Sequence, residues 1–358
     1  KEKFLDIVTY TGDNTTGRSI SHALGGPVGM IIVKKTSGAG NWHVLHKSVS
    51  LGGSPNEGAL RLNTTGFANS YSSNFNATFP TDSVFYVSHL AGASSSTLNT
   101  TGETYVAYVF ADNSAEDADD QMIKCGYYFG DSSTLQDINL GWEPQFLILK
   151  NASATGGWYM WDKMRGFLGG ANNEDGHPIY SNSTSPEFNN DDAGLLSNGF
   201  QVADALNTNS NLYIYMAIRA PMMKEPEAAT DVFAISQWDG TQWPSGFPVD
   251  WFFMRKDAED STQVHTRFSG NMEIYSTSST TVENNDTFGS YRLFDFNDGV
   301  WNENVAGGDY CFMFSRAKGF FDVVSYSGNS SATNRPHSLG VAPEMMIIKG
   351  RDIAQNWV

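Results

Sequence analysis

The chain has 358 residues, a formal net charge of −17, and 17% charged against 13% aromatic side chains. So acidic a chain argues against nucleic acid and against an anionic membrane surface, both of which need clustered Lys and Arg. No apolar run approaches the ~18 residues of a membrane-spanning helix, so membrane insertion is not expected.

Dense Gly, Ser, Thr and Asn, with many aromatics, suit short strands and polar turns better than helices. The acidity fits a self-repelling surface exposed to medium. Cys125 and Cys311 fall at unrelated positions and are expected as two buried thiols.

In chain order, Phe4 to Tyr10 alternates large and polar residues and meets Thr11-Gly12-Asp13, which predicts a strand and a turn. His22-Ala-Leu24-Gly25 precedes the apolar run Met30-Ile-Ile-Val-Lys34, which predicts a buried central strand. Asn41 to His46 alternates again. Asn99 then precedes Tyr105-Val-Ala-Tyr-Val-Phe-Ala111, a predicted closing strand whose Tyr lies six residues after the Asn. Trp42 is expected to anchor a core.

The same order returns. A second copy has Gly126-Tyr-Tyr-Phe129-Gly130, Leu140-Gly141, Phe146-Leu-Ile-Leu-Lys150, Trp158, and Asn207 before Tyr213-Ile-Tyr-Met-Ala217. A third has Trp238-Asp-Gly240, Trp251-Phe-Phe-Met-Arg255, and Asn304 before Tyr310, with Gln263 at the Trp position. A fourth opens with Phe320-Phe-Asp322, His337-Ser-Leu339-Gly340, Met345-Met-Ile-Ile-Lys349 and Asn356-Trp357. The repeats predict β-sandwich domains at 1–116, 117–227 and 228–318, and the start of a fourth at 319–358. An acidic stretch from Ala111 to Asp120 reads as a linker, and the pattern is expected to continue past residue 358. The expectation is an all-β chain of tandem, jelly-roll-like sandwiches arranged as beads.

Chemistry-bearing motifs are sparse. Gly130-Asp131-Ser132-Ser-Thr134 has the look of an esterase nucleophile block, but the repeat places it in the slot of the turn at Gly12-Asp13. His43 and His46 lie three apart on a predicted strand and point to opposite faces, so they cannot share a metal. His22 and His337 are equivalent positions, which favours a turn role. Acidic loops at Asn172–Asp175, Asn189–Asp192 and Glu283–Asp286 leave weak room for Ca2+, and no other cofactor is expected. Trp142, Trp161, Trp243 and Trp301 are the candidates for stacking on sugar faces.

The phrases Asp6-Ile-Val-Thr-Tyr-Thr-Gly12, His22-Ala-Leu-Gly25, Met30-Ile-Ile-Val-Lys34 and Tyr105-Val-Ala-Tyr-Val-Phe-Ala111 resemble a repeat domain of tailed bacteriophages. That domain is found in tail-fibre-like and other virion proteins of marine phages and cyanophages. The resemblance covers essentially the whole chain and is weakest in copy three. It implies a non-enzymatic virion structural protein, extracellular on the particle surface and in contact with other virion proteins. A tail-fibre component adhering to a host surface glycan is the foremost expectation, with a homo-oligomer, a trimer, implied by the resemblance alone. A capsid or tail decoration protein is the alternative, and a polysaccharide-degrading tailspike ranks last, since no short solenoid period is present.

Overall fold

A computed structural model describes residues 1–358 apart from 52–53, 56–57, 69–73, 77, 90–96, 118–119, 164, 166, 168, 172–175, 189, 221–222, 224, 256–261, 270–271, 276–283, 286–293, 295–296, 301–309, 329, 352 and 354. The chain is all-β, built of antiparallel sheets in sandwich-like units, and no α-helix occurs among the described residues. It divides into two compact units. One comprises Lys1–Asp162, Pro178–Phe188 and Gln201–Ala220; the other comprises Lys163–His177, Asn189–Phe200 and Pro221–Val358.

Each of the first three copies builds its main sheet in one order. In copy one the opening strand Leu5–Thr11 pairs with the closing strand Thr104–Ala111, which pairs with the central strand Val28–Lys35, and that with Trp42–His46. Copy two repeats this with Ile123–Phe129, Leu212–Arg219, Pro144–Asn151 and Trp158–Asp162. Copy three does so with Phe233–Gln237, Tyr310–Phe314, Trp251–Arg255 and Thr262–Thr266. The last strand of each copy thus lies between two that precede it, so no copy closes its sheet until its last segment is in place. Copies one and two even share a bulge, between Val28 and Met30 and between Pro144 and Phe146.

A short second sheet covers the inner face. In copy one it pairs Arg18–Ser21 with Val84–Val87, and in copy three Trp243–Pro244 with Gly299–Val300. In copy one, Tyr10, Ile31, Val33, Tyr105 and Val109 are buried with Ile20, Phe85 and Val87 in one core. Burying one such aromatic side chain stabilises by about 2–3 kcal/mol.

The outer face of the copy-one sheet is buried as well. The register sets Met30, Ile32 and Val44 on it, and in copy two it sets Ile148, Ile214 and Met216 on the equivalent face. All six belong to a single core, which also takes in Cys125 and Trp158. Copies one and two therefore pack their main sheets together inside one unit. The acidic stretch read as a linker begins as part of this joint. Asp112 and Asn113 are buried; Asp112 accepts from Cys125 N at 3.1 Å and pairs with Lys47. Asn113 donates to Lys3 O at 2.9 Å and accepts from Ile123 N at 3.2 Å.

Two registers differ from the sequence expectation in copy three. Tyr310 pairs with Gln237 and is 48% exposed, whereas Tyr105 and Tyr213 are 1% and 0% exposed. Tyr310 therefore faces outward, and Cys311 takes the inward place that Ala107 has in copy one. Opposite Arg255 stands Thr262, not Gln263.

Among the described residues no strand follows Tyr310–Phe314. Residues 319–358 nevertheless repeat the local contacts of copy one. Gly319 N donates to Leu339 O at 2.7 Å as Lys3 N does to Leu24 O at 2.7 Å. Asp322 accepts from Ser338 N and Asp6 from Ala23 N, both at 2.7 Å. These local contacts need no closing strand, whereas the sheet does.

Candidate functional site

Among the described residues, one polar constellation is built twice. In copy one it joins the turn after the opening strand to the loop before the closing strand. Asn99 Nδ2 donates to Asp13 Oδ1 and to Thr15 O, both at 2.8 Å, and Asn99 Oδ1 accepts from Asp13 N at 3.2 Å. Asp13 Oδ1 also accepts from Thr15 N at 2.9 Å and Thr15 Oγ1 at 2.7 Å. These bonds from Thr15, with help from Asn99 and Arg18, hold the Asp13 carboxyl down at about 2.

Copy two repeats the constellation with Gln136 in the place of Arg18, so without the ion pair. Asn207 Nδ2 donates to Asp131 Oδ1 at 3.0 Å and Ser133 O at 2.8 Å, and Asn207 Oδ1 accepts from Asp131 N at 2.9 Å. Below each network two tyrosines stack. Tyr10 and Tyr105 lie 5.0 Å apart at 11°, and Tyr128 and Tyr213 lie 4.9 Å apart at 6°. Tyr10 OH donates to Leu98 O at 2.7 Å and Tyr128 OH to Leu206 O at 2.8 Å. The turn residues Asn14 and Ser132 both have positive φ, 62° and 56°. This geometry is a clasp that fixes the closing strand to the opening one.

The residues singled out for chemistry have structural work here. Ser132, at the apparent nucleophile position, accepts from Asn209 N at 3.0 Å, and Ser133 Oγ donates to Asp131 at 2.5 Å. His22 Nδ1 accepts from Leu24 N at 3.3 Å and its equivalent His337 from Leu339 N at 3.2 Å, which is the expected turn role. His43 and His46 are buried on opposite faces, and burial holds both imidazoles down at about 4. Cys125 and Cys311 are buried free thiols, and burial pushes both well above the usual thiol range.

Of the four tryptophans proposed for sugar contact, Trp142, Trp161 and Trp243 are only 4%, 0% and 1% exposed. They are a correction to the sequence reading. Trp161 sits on the inner face of its sheet opposite Leu147, and Trp243 belongs to the copy-three core. Residue type alone does not report which face a strand side chain takes. Trp301 lies outside the described residues. Trp142 borders a surface groove of about 380 Å3 with Gln121, Lys124, Asn139, Leu140 and Gly141. Its indole Nε1 donates to Gln121 at 3.1 Å.

The acidic loop 172–175 and residues 189, 283 and 286 also lie outside the described residues. Asn190 donates to Asp192 at 2.8 Å. Among the described residues no three His, Cys, Asp or Glu side chains converge on a common point.

Sequence reasoning missed Lys150. It is buried at the joint of copies one and two, where its amine donates to Asn151 O at 2.6 Å and to Thr65 O and Ala154 O at 3.4 Å. Burial lowers it to about 8. The available signal was a Lys ending an apolar central run in both copies, at Lys34 and Lys150.

Residues 2–221 and 258–358 match the domain of unknown function DUF7483. The chain belongs to that family. The first matched stretch spans copies one and two together, the same two that share a core. No curated protein and no solved structure is significantly similar to the chain.

Proposed function

We propose that this chain is a non-enzymatic structural component of a bacteriophage virion, a tail-fibre segment used for adhesion to the host surface. The observation that carries this reading is the clasp built twice, around Asn99 and Asn207. Among the described residues, the polar side chains of the clasp that recur between copies one and two hold strands together. Repetition of a sandwich unit supplies length and many equivalent surfaces, so weak contacts add through avidity. The acidic, lightly charged composition suits a surface facing medium. The groove at Trp142, with Gln121, Lys124 and Asn139, offers amide and amine donors of the kind that bind sugar hydroxyls.

The test is gold labelling of source particles with an antibody against this chain, viewed by electron microscopy. Gold on thin fibres at the tail supports the reading. Gold spread over the capsid supports the decoration alternative, and gold on no particle removes the virion reading altogether.

A further inference from the structure

We propose that copy one carries a binding site for one small anion of the halide class, set between the hairpin that follows its central strand and the loop that precedes its closing strand. This rests on the fold and is independent of the virion reading. The cavity there is about 10 Å3 and partly open, the size of one water molecule or one monatomic ion. Lys35 and Asn41 line it from the hairpin, His43 from the fourth strand, and Thr97, Thr100 and Tyr105 from the closing segment.

What these residues have left to offer is donors. His43 is 2% exposed, and its Nδ1 accepts from Asn74 Nδ2 at 3.3 Å. The ring proton therefore sits on Nε2, which makes no hydrogen bond among the described residues and is not sealed off. Asn41 Oδ1 already accepts from Asn63 Nδ2 at 3.0 Å, which leaves the Asn41 amide N–H groups. The hydroxyls of Thr97 and Thr100 bond to each other, which uses one of their protons and leaves the other. A neighbouring acceptor, Thr97 O, is taken by Tyr105 OH at 3.5 Å. The charges point the same way. Arg61 and Lys34 act on the His43 ring, and both are positive. Lys35 adds a third cation, against the carboxylate of Glu103 at 3.5 Å from its amine. In a chain of net charge −17 this is a local reversal of sign.

The other copies show what this place in the fold holds when it is not built this way. His43 stands opposite Val33, and the equivalent pairs are Leu149 with Tyr159 in copy two and Met254 with Gln263 in copy three. In copy two the slot is aromatic. Tyr159 lies 5.4 Å from Trp161 and 4.7 Å from Tyr180, ring to ring. In copy three Gln263 is 1% exposed, and neither end of its amide has a hydrogen-bond partner among the described residues. An unpaired polar group costs stability when buried, and this slot bears that cost in copies one and three where copy two packs an aromatic ring. A small anion on His43 Nε2, held by the amide and hydroxyl donors around it and by the field of Lys34, Lys35 and Arg61, offsets the cost in copy one.

The test is chlorine nuclear magnetic resonance of the chain in a chloride titration, with gluconate holding the ionic strength constant. His43→Phe, Lys35→Met and the control Lys318→Met, an exposed cation of another copy, are measured beside it. Far-ultraviolet circular dichroism checks the fold of all three, and Lys35→Met decides alone if His43→Phe does not fold. The expected result is a saturable broadening of the chloride line. Its dissociation constant rises at least about tenfold in His43→Phe and about threefold in Lys35→Met, and stays unchanged in the control. A chain that broadens the line no more than buffer does overturns the proposal and leaves the cavity to water. Broadening that survives either copy-one substitution unchanged overturns it equally, because the anion then sits elsewhere.

Discussion

His46 Nε2 donates to the main-chain oxygen of Tyr215 at 3.0 Å, a hydrogen bond from the fourth strand of copy one to the closing strand of copy two. The other ring nitrogen accepts from Ser48 N at 3.1 Å, which fixes the neutral tautomer. With the contacts of Asp112, Asn113 and Lys150, the bond from His46 to Tyr215 ties the two copies together across their joint. Replacement of His46 by Leu removes it, and urea unfolding is expected to show a loss of about 1–3 kcal/mol.

Acid acts on this joint through His46 and on the inner core of copy one through His43. His43 and His46 titrate near 6.5 when unfolded and are held at about 4 by burial. Between those values the unfolded chain binds protons that the folded chain does not. Stability is therefore full above pH 6.5 and falls as the pH drops toward 4, by roughly 3 kcal/mol per ring. Thermal melts at pH 7.5 and pH 4.5 are expected to show the drop, and the His46→Leu variant should show a smaller one.

The clasp gives a paired prediction. Asn99→Ala and Asn207→Ala each remove the donor and acceptor that join two loops, at a cost of about 2–4 kcal/mol apiece. Asn99→Asp keeps the shape but sets a second carboxylate against Asp13, which lies 2.8 Å from the present amide. Its destabilisation should grow as the pH rises from 3 to 6, the opposite of the histidine effect.

Two glycines in the clasp have no room for a side chain. A Cβ on Gly12 or Gly130 lies 2.1 Å from the oxygen of Thr100 or Thr208. Gly12→Ala and Gly130→Ala are expected to cost about 2–4 kcal/mol. Gly102→Ala, in open space at φ +79°, carries only the backbone penalty of about 1 kcal/mol. Equilibrium unfolding of the three variants separates the two effects.

Much of this fold is legible in the sequence. The opening, central and closing strands follow from alternation and from the apolar runs Met30–Lys34 and Phe146–Lys150, and the histidine turns from their common place before Leu-Gly. Tyr310 misled because it stands six residues after an Asn, while copy three is apolar on both faces and so hides a one-residue slip. Trp142, Trp161 and Trp243 misled because an aromatic residue suits a core and a sugar platform equally. The joint of copies one and two had a signal: runs apolar at every position, as in Met30-Ile-Ile-Val, must be covered on both sides. What covers the second side is a long-range fact that no local pattern carries.

The central claim is that copies one and two form one cooperative unit, and native-state hydrogen exchange tests it most directly. Ile148→Ala in copy two removes outer-face contacts and should cost about 2–4 kcal/mol. If the two sheets share a core, the slowest amides of the copy-one strand Val28–Lys35 lose protection by the same amount. Unchanged protection in that strand, with the loss confined to copy two, would contradict the account and make the two copies independent domains.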